Sequence, residues 1–220
     1  MPSSALERFR RSMVIGYEEW HEGTPYDLDA LAELGPAERS DVEETLLSRA
    51  ASDWRDVQAL DVLGTPRALE ALEGVLSSKE VVIRLEAAER LRRRKLLGES
   101  QFEALVVESL AEATILNGMT RALGLAQKHP TPAVLKQLFA CAEGGNEDIR
   151  CHAAALLHYL FGFAKSSFDW DKRPFYLRFA SDDPTERRAA YLELCRELGL
   201  DPNDLGELTL PRRRRRTSRE

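Results

Sequence analysis

Residues 65–91 read TPRALEALEGVLSSKEVVIRLEAAERL, and residues 131–157 read TPAVLKQLFACAEGGNEDIRCHAAALL. The two stretches align without a gap at an offset of 66 residues, and apolar positions in one meet apolar positions in the other. The matched pairs include Leu69 with Leu135, Leu72 with Leu138, Ile83 with Ile149 and Leu91 with Leu157. Self-similarity at a fixed offset is typical of repeat architectures, so the alignment predicts a repeat protein.

Each copy divides into two amphipathic helices separated by a polar turn. In the first half of residues 65–91, alanine and leucine recur at the spacing of one helix face, and Pro66 lies in the first turn, where proline is tolerated. In the second half, Ile83 is followed by two adjacent alanines and Leu91. Small residues let a neighbouring helix approach closely. We therefore predict that each copy is a hairpin of antiparallel helices.

The composition of the whole chain also favours helices. Of the 220 residues, 43% are hydrophobic, and only 13 are Gly and 10 are Pro. Ala, Leu, Glu and Arg dominate, and these residues lose the least free energy on entering a helix. Runs of β-branched residues are few. The prediction is an all-α fold, with about ten or more antiparallel helices in residues 25–199.

Weaker copies extend the pattern in both directions. Residues 27–35, DLDALAELG, resemble residues 56–64, DVQALDVLG, and residues 173–198 repeat the plan of a proline-started helix, a polar turn and a second helix. Residues 98–128 are expected to supply the intervening helix pair. We therefore predict three regions: an N-terminal cap segment in residues 1–24, a helical repeat domain in residues 25–199, and a C-terminal tail with a basic arginine run in residues 200–220.

The second helices carry a sequence pattern that resembles a known family. Residues 80–91, EVVIRLEAAERL, and residues 147–157, EDIRCHAAALL, are similar to the HEAT repeat in their acidic turn, their Val/Ile-Arg pair, their adjacent alanines and their leucine. The resemblance covers most of residues 25–199. It implies an armadillo-like α-solenoid of stacked antiparallel helix pairs, whose second helices line a concave binding surface. HEAT repeats serve as scaffolds, transport factors, pigment lyase subunits, DNA-binding proteins and inhibitors, so the partner stays open.

The residue types that carry catalysis or bind metals lack the necessary spacing. Cys141, Cys151 and Cys195 show no CxxC pattern, and neither GxGxxG nor GxxxxGK[ST] is present. No two histidines lie four residues apart or in an HExxH arrangement. We therefore expect no enzymatic activity, no metal and no cofactor, and we interpret all four histidines as partly exposed residues of helices or turns: His21, His129, His152 and His158.

Arginine recurs at equivalent positions of the second helices, at Arg55, Arg84 and Arg150. A row of arginines could form a basic binding surface. The resemblance to HEAT repeats instead implies that this arginine bonds to carboxylates in the turns of adjacent repeats, and the acidic turn residues at 53, 80, 147 and 148 fit that role. We favour this structural interpretation. Because Trp54 aligns with Ile83, we also predict that Trp54 lies in the core.

One connection is longer than the repeat geometry requires. Residues 162–173, GFAKSSFDWDKR, separate two predicted helices, and long loops in compact domains are often functional. Because Trp and Arg are enriched at the centres of interfaces, we predict a binding site formed by Phe168, Asp169, Trp170, Asp171, Arg173 and Tyr159. The alternative is that the aromatic side chains fold back and cover the repeats. A second aromatic group is expected to cap the first repeat: Tyr17, Trp20, His21 and Tyr26.

Charge is distributed unevenly along the chain. The formal net charge is −6, yet residues 1–211 contain 25 basic and 36 acidic residues and carry −11. Such an acidic body repels phosphate backbones, so we expect a protein partner, and a basic one fits best. The tail leaves open an association with nucleic acid through five consecutive arginines: Arg212, Arg213, Arg214, Arg215 and Arg216.

The predicted function is therefore a non-catalytic protein-interaction module, such as an adaptor, a scaffold or an inhibitor of the immunity-protein type. The two alternatives are a nucleic-acid-associated protein that uses the arginine tail and a HEAT-type lyase or other enzyme subunit. No run approaches the roughly 18 apolar residues that a membrane span requires, and the first residues do not resemble a signal peptide. We expect a cytoplasmic protein with no membrane partner.

Overall fold

The computed structural model describes residues 2–49, 51–203, 205, 208 and 210, so the arginines predicted as a basic tail lie outside the described residues. Within the described residues the chain forms thirteen α-helices and no β-strand, which confirms the all-α prediction. The helices are α1 Ser4–Ser12, α2 Tyr17–His21, α3 Leu28–Glu33, α4 Pro36–Ser48, α5 Trp54–Leu63, α6 Pro66–Gly74, α7 Val81–Arg93, α8 Glu99–Glu112, α9 Met119–Lys128, α10 Pro132–Gly144, α11 Glu147–Leu160, α12 Arg173–Leu177 and α13 Pro184–Leu198. Three short 3-10 helices accompany them at Val75–Ser77, Trp170–Lys172 and Arg178–Ala180.

The chain divides into two compact units, Met1–Phe102 and Glu103–Glu220. In the first unit, α5 contacts α3, α4, α6 and α7. Leucines of α3, α5 and α7 are fully buried in the core of this unit. In the second unit, α11 contacts α9, α10, α12 and α13 and buries its alanines and leucines against them. Each unit therefore has its own apolar core, built around one central helix.

The repeated Thr-Pro dipeptide begins a helix in both copies. The hydroxyl oxygen of Thr65 accepts a hydrogen bond from the N–H of Ala68 at 3.1 Å, and that of Thr131 accepts one from the N–H of Val134 at 3.3 Å. Threonine is a favourable N-cap, and the proline that follows has no N–H to leave unsatisfied. The same two residues thus fix the start of α6 and of α10.

The adjacent alanines of the second helices lie where the helices approach each other. Ala87 and Ala88 in α7 and Ala153 and Ala154 in α11 have no exposed surface. The first helices differ between the copies, because α6 ends at Gly74 and continues as the 3-10 helix Val75–Ser77, whereas α10 is one α-helix as far as Gly144. The two copies therefore share the buried face of the second helix, but they differ in the length of the first helix.

Two predictions about aromatic residues are wrong. Trp54 is half-buried and outside the core, because it is the first residue of α5 and its ring lies under the Arg55 guanidinium, 4.5 Å from the ring centroid. In the N-terminal group only Tyr26 is buried, and its hydroxyl donates to Asp56 at 3.0 Å. Tyr17, Trp20 and His21 are exposed, because α2 is a short helix that buries none of its side chains.

Candidate functional site

The long connection between α11 and α12 is organised by the side chain of Asp169. Its carboxylate accepts hydrogen bonds from the backbone N–H of Lys165 at 3.0 Å and of Asp171 at 3.2 Å, and only 7% of the residue is exposed. The N–H of Lys165 is the main cause that lowers the pKa of Asp169. Asp169, predicted as a contact residue, therefore folds the connection and starts the 3-10 helix Trp170–Lys172.

Two of the three aromatic residues of the connection, Phe168 and Trp170, point in different directions. Phe168 is half-buried, with its ring centroid 5.1 Å from that of His152 and 5.4 Å from that of the buried Tyr176. Trp170 is 72% exposed, although its ring meets Phe168 edge-on at 5.7 Å. The Arg173 guanidinium lies 5.6 Å from the Trp170 ring centroid. Phe168 thus covers the helices, while Trp170 and Arg173 face solvent together.

The remaining predicted site residues lie at the edges of this group. Asp171 is exposed, and its carboxylate pairs with the Lys165 ammonium at 2.7 Å. Tyr159 is half-buried near the end of α11, and its carbonyl oxygen accepts a hydrogen bond from the N–H of Gly162 at 3.1 Å. The structure therefore places Tyr159 where the connection begins and Trp170, Asp171 and Arg173 where it ends.

His158 lies beneath the connection and is fully buried, so the prediction that it is partly exposed is wrong. Its ring stacks on Phe175 at 5.2 Å, Nδ1 lies 3.4 Å from the Tyr176 hydroxyl, and Nε2 lies 3.1 Å from a Glu197 carboxylate oxygen. Burial, and then the nearby Lys172 ammonium, lower the pKa of His158, and Glu197 opposes them only in part. The imidazole is therefore held in its neutral form beneath the connection.

A groove of about 310 Å³ runs between α9, α11 and the connection. Its lining contains both apolar and polar residues and no carboxylate: Met119, Thr120, Leu123, Gly124, Gln127, His152, Leu156, Ser167 and Phe168. Burial lowers the pKa of His152 as well, so its imidazole is an uncharged donor and acceptor at neutral pH. The groove adds a concave, uncharged surface beside the exposed Trp170.

The recurring arginines of the second helices are used inside the fold. Arg55 is 2% exposed and donates to the carbonyl oxygens of Thr24 at 2.6 Å and Glu19 at 3.1 Å, and it pairs with Asp53 at 3.1 Å. Arg84 is also buried and donates to the carbonyl oxygen of Ser78 at 3.2 Å. These guanidiniums tie each second helix to the turn or segment before it.

Arg150 and Arg187 follow the same plan in the second unit. Arg150 donates to the carbonyl oxygens of Gly145 and Phe179, and Arg187 donates to those of Ser181 and Asp182. The acceptors of Arg150 are backbone carbonyls, where the sequence predicted carboxylates of the turns. Arg187, the fourth residue of α13, was missed because the spacing of its repeat is looser, although its place four residues into the helix matches Arg150 in α11.

The described residues contain neither a metal-binding cluster nor a membrane-spanning helix. No group of three His, Cys, Asp or Glu side chains there could hold a metal ion. No helix in that part of the chain is long and apolar enough to cross a membrane. Cys141, Cys151 and Cys195 are free thiols, and burial raises the pKa of each.

Comparison of the chain with protein-family models, with curated proteins and with solved structures found no significant match. The geometry of the side chains is therefore the basis for any functional assignment.

Proposed function

We propose that this chain is a non-catalytic protein-interaction module of the HEAT-like α-solenoid class, which binds its partner at the connection between α11 and α12. The observation that carries the proposal is the 72% exposure of Trp170, a large apolar side chain on a connection fixed by two hydrogen bonds to the Asp169 carboxylate. Tryptophan and arginine dominate the free energy of binding at protein interfaces, and Trp170 is accompanied by Arg173.

The support for a HEAT-like class comes from details within the helix hairpins. An arginine near the start of the second helix bonds to the preceding turn in α7, α11 and α13. Adjacent buried alanines follow that arginine in α7 and α11. Both features match the sequence pattern of the family, in which paired helices present a surface to a partner.

The connection is suited to binding because its residues are already ordered and lose little conformational entropy when a partner binds. Asp169 fixes two backbone N–H groups, and Phe168 packs between His152 and Tyr176 beneath Trp170. A surface that is already ordered loses less conformational entropy on association than a flexible one. The net charge of −11 over residues 1–211 favours a basic protein as the partner.

Affinity capture from the native cell, with Trp170→Ala compared against the unchanged protein, tests the proposal. The variant should lose a specific partner, with an affinity loss of roughly 2 kcal/mol or more, because a desolvated anchor is removed. Its melting temperature should stay the same, since the ring is exposed. Leu116→Ala, a matched change at a residue that is 94% exposed in the same unit, should retain the partner. Retention by Trp170→Ala would refute the site.

The arginine run supports a second candidate function, association with nucleic acid through the tail. A chain that ends after Leu210 removes all six basic residues of the tail. If the tail carries the activity, this truncation abolishes binding, and binding by the full chain weakens steeply with salt. Salt-insensitive binding that survives the truncation would exclude this candidate.

A further inference from the structure

A second exposed aromatic surface lies in the first unit, on α2 and the turn before it. Val14, Tyr17 and Trp20 are 75%, 76% and 66% exposed. The Tyr17 ring stacks on His21 with centroids 5.9 Å apart, and it lies 6.4 Å from the Trp20 ring. Single exposed apolar residues are common on proteins, but adjoining ones mark interaction sites. We call Val14, Tyr17, Trp20 and His21 the α2 face.

The α2 face is held in place from below by Arg55. This buried guanidinium donates to the carbonyl oxygen of Glu19, inside α2, and to that of Thr24, just after it. The Glu19 carboxylate accepts from the N–H of Gly16 at 3.0 Å and closes the first turn of the helix. A helix of five residues is not stable alone, so these bonds hold in place the backbone that carries the aromatic side chains.

Acidic residues predominate in the sequence around the α2 face. Residues 12–38 contain seven Asp and Glu residues and no Lys or Arg. Several of the seven are engaged locally, as Asp27 and Glu33 are by Arg8. Glu18 and Glu22 are exposed on α2 and at its C-terminal end, and the Glu22 carboxylate lies 3.5 Å from Nδ1 of His21, a residue of the α2 face. An apolar partner would strip water from these carboxylates without compensation, which is unfavourable.

We propose that the α2 face docks an arginine-rich segment of a partner protein. A guanidinium stacks on aromatic rings and also pairs with carboxylates through its fork of N–H groups, so it satisfies both components of this surface. Lysine offers a compact charge without the planar stacking surface. The same carboxylates repel the phosphates of nucleic acids and of anionic lipids.

This inference shares with the proposed function the view that the chain binds proteins, but it uses a different surface. The α2 face lies in the first unit and Trp170 in the second. Each surface contains one exposed tryptophan, so each provides the control for the other. Retention of the captured partner by Trp170→Ala would refute the proposed function, whereas retention of arginine-peptide binding by Trp20→Ala would refute only the α2 face.

The test measures binding of a fluorescein-labelled peptide of four Arg-Ser-Gly repeats to the full chain by fluorescence anisotropy. Trp20→Ala and Tyr17→Ala should each lower the affinity at least about tenfold, since each removes an interface aromatic. Trp20→Phe should recover much of the loss, because phenylalanine keeps a stacking surface. Trp170→Ala should leave the affinity unchanged. Exposure of all these side chains predicts unchanged melting temperatures.

The carboxylates are tested by a matched pair of double variants. Glu18→Gln with Glu22→Gln should weaken binding and reduce its salt dependence, because two exposed charges of the α2 segment are removed. Glu70→Gln with Glu73→Gln removes the same charge from exposed positions of α6 in the same unit and should change little. A peptide of four Lys-Ser-Gly repeats should bind at least several-fold more weakly than the arginine peptide.

Three results would overturn the proposal. The first is equal affinity of the arginine peptide for the unchanged protein, Trp20→Ala and Tyr17→Ala. The second is equal affinity for the arginine and lysine peptides, which would indicate attraction by net charge alone. The third is an equal loss in both double variants, which would show that the carboxylates of Glu18 and Glu22 have no special role.

Discussion

Replacing Arg55 with methionine should destabilise the first unit and also disorder the α2 face. Arg55 is buried and makes three kinds of contact: it donates to the carbonyl oxygens of Thr24 and Glu19, it pairs with Asp53, and it covers the Trp54 ring. Methionine preserves much of the apolar contact but donates no hydrogen bond. The change therefore isolates the role of the guanidinium.

The magnitude follows from the acceptors that lose their donor. Hydrogen bonds that involve a charged group contribute about 1.5–3 kcal/mol each. Glu19 and Thr24 are exposed residues, so water replaces part of this loss, and the Asp53 side chain is 28% exposed. We therefore expect a decrease in the free energy of unfolding of about 3 kcal/mol, near the lower end of values for breaking a buried ion pair.

Urea denaturation followed by circular dichroism measures this loss. Arg67→Met provides the matched control, because Arg67 pairs with Glu44 on the surface and both side chains are more than half exposed. The control should keep its denaturation midpoint, since exposed ion pairs contribute little. If Arg55→Met shifts the midpoint no more than Arg67→Met does, the buried guanidinium does not hold the segment, and the reasoning is wrong.

Three further predictions concern the second unit. Ala154→Leu should lower the free energy of unfolding by about 1–3 kcal/mol in thermal melts, because it overpacks a fully buried position. Ala140→Leu, at an exposed position of α10, should leave the melting temperature unchanged. Identical melts of the two variants would show that the buried face is misassigned. Because the pKa of His158 is lowered in the fold, the unfolded chain binds more protons near pH 6 than the folded chain does. The free energy of unfolding should therefore fall from pH 7 to pH 5, and it should fall less in His158→Gln. Parallel pH profiles of the two proteins would contradict this prediction. Asp169→Ala should speed hydrogen exchange at the two backbone amides that donate to its carboxylate, and unchanged protection there would rule out its organising role.

The repeated parts of the fold could be predicted because their causes are local or periodic. A Thr-Pro dipeptide caps the first turn of a helix without help from other parts of the chain. Adjacent alanines such as Ala87 and Ala88 belong to the buried face that the apolar spacing marks. The Asn117-Gly118 turn was missed, although Asn-Gly is a turn signal: Thr114 forms isolated bridges to Asn117 and Gly118 there, and Gly118 adopts a φ of 72°.

The candidate site could be predicted only as a segment, because the roles of its residues depend on tertiary contacts. Sequence alone did not separate Phe168, which packs inward, from Trp170, which stays exposed. Asp169 was predicted as a contact residue, because its two backbone donors come near its carboxylate only in the folded connection. Burial of His158 did have a sequence signal, since it lies four residues after the buried Ala154 on α11.

The position of the cysteines gives the molecule a natural reporter of local opening. All three thiols belong to the second unit, two of them are buried and the third is partly covered, and burial disfavours the reactive thiolate in each. A thiol-specific dye should therefore label the native protein slowly, at a rate set by fluctuations that expose Cys141 and Cys195. The first unit has no cysteine and therefore gives no labelling signal in such an experiment. Labelling rates compared with loss of helical signal across a urea series would show whether the second unit opens before the rest of the chain unfolds.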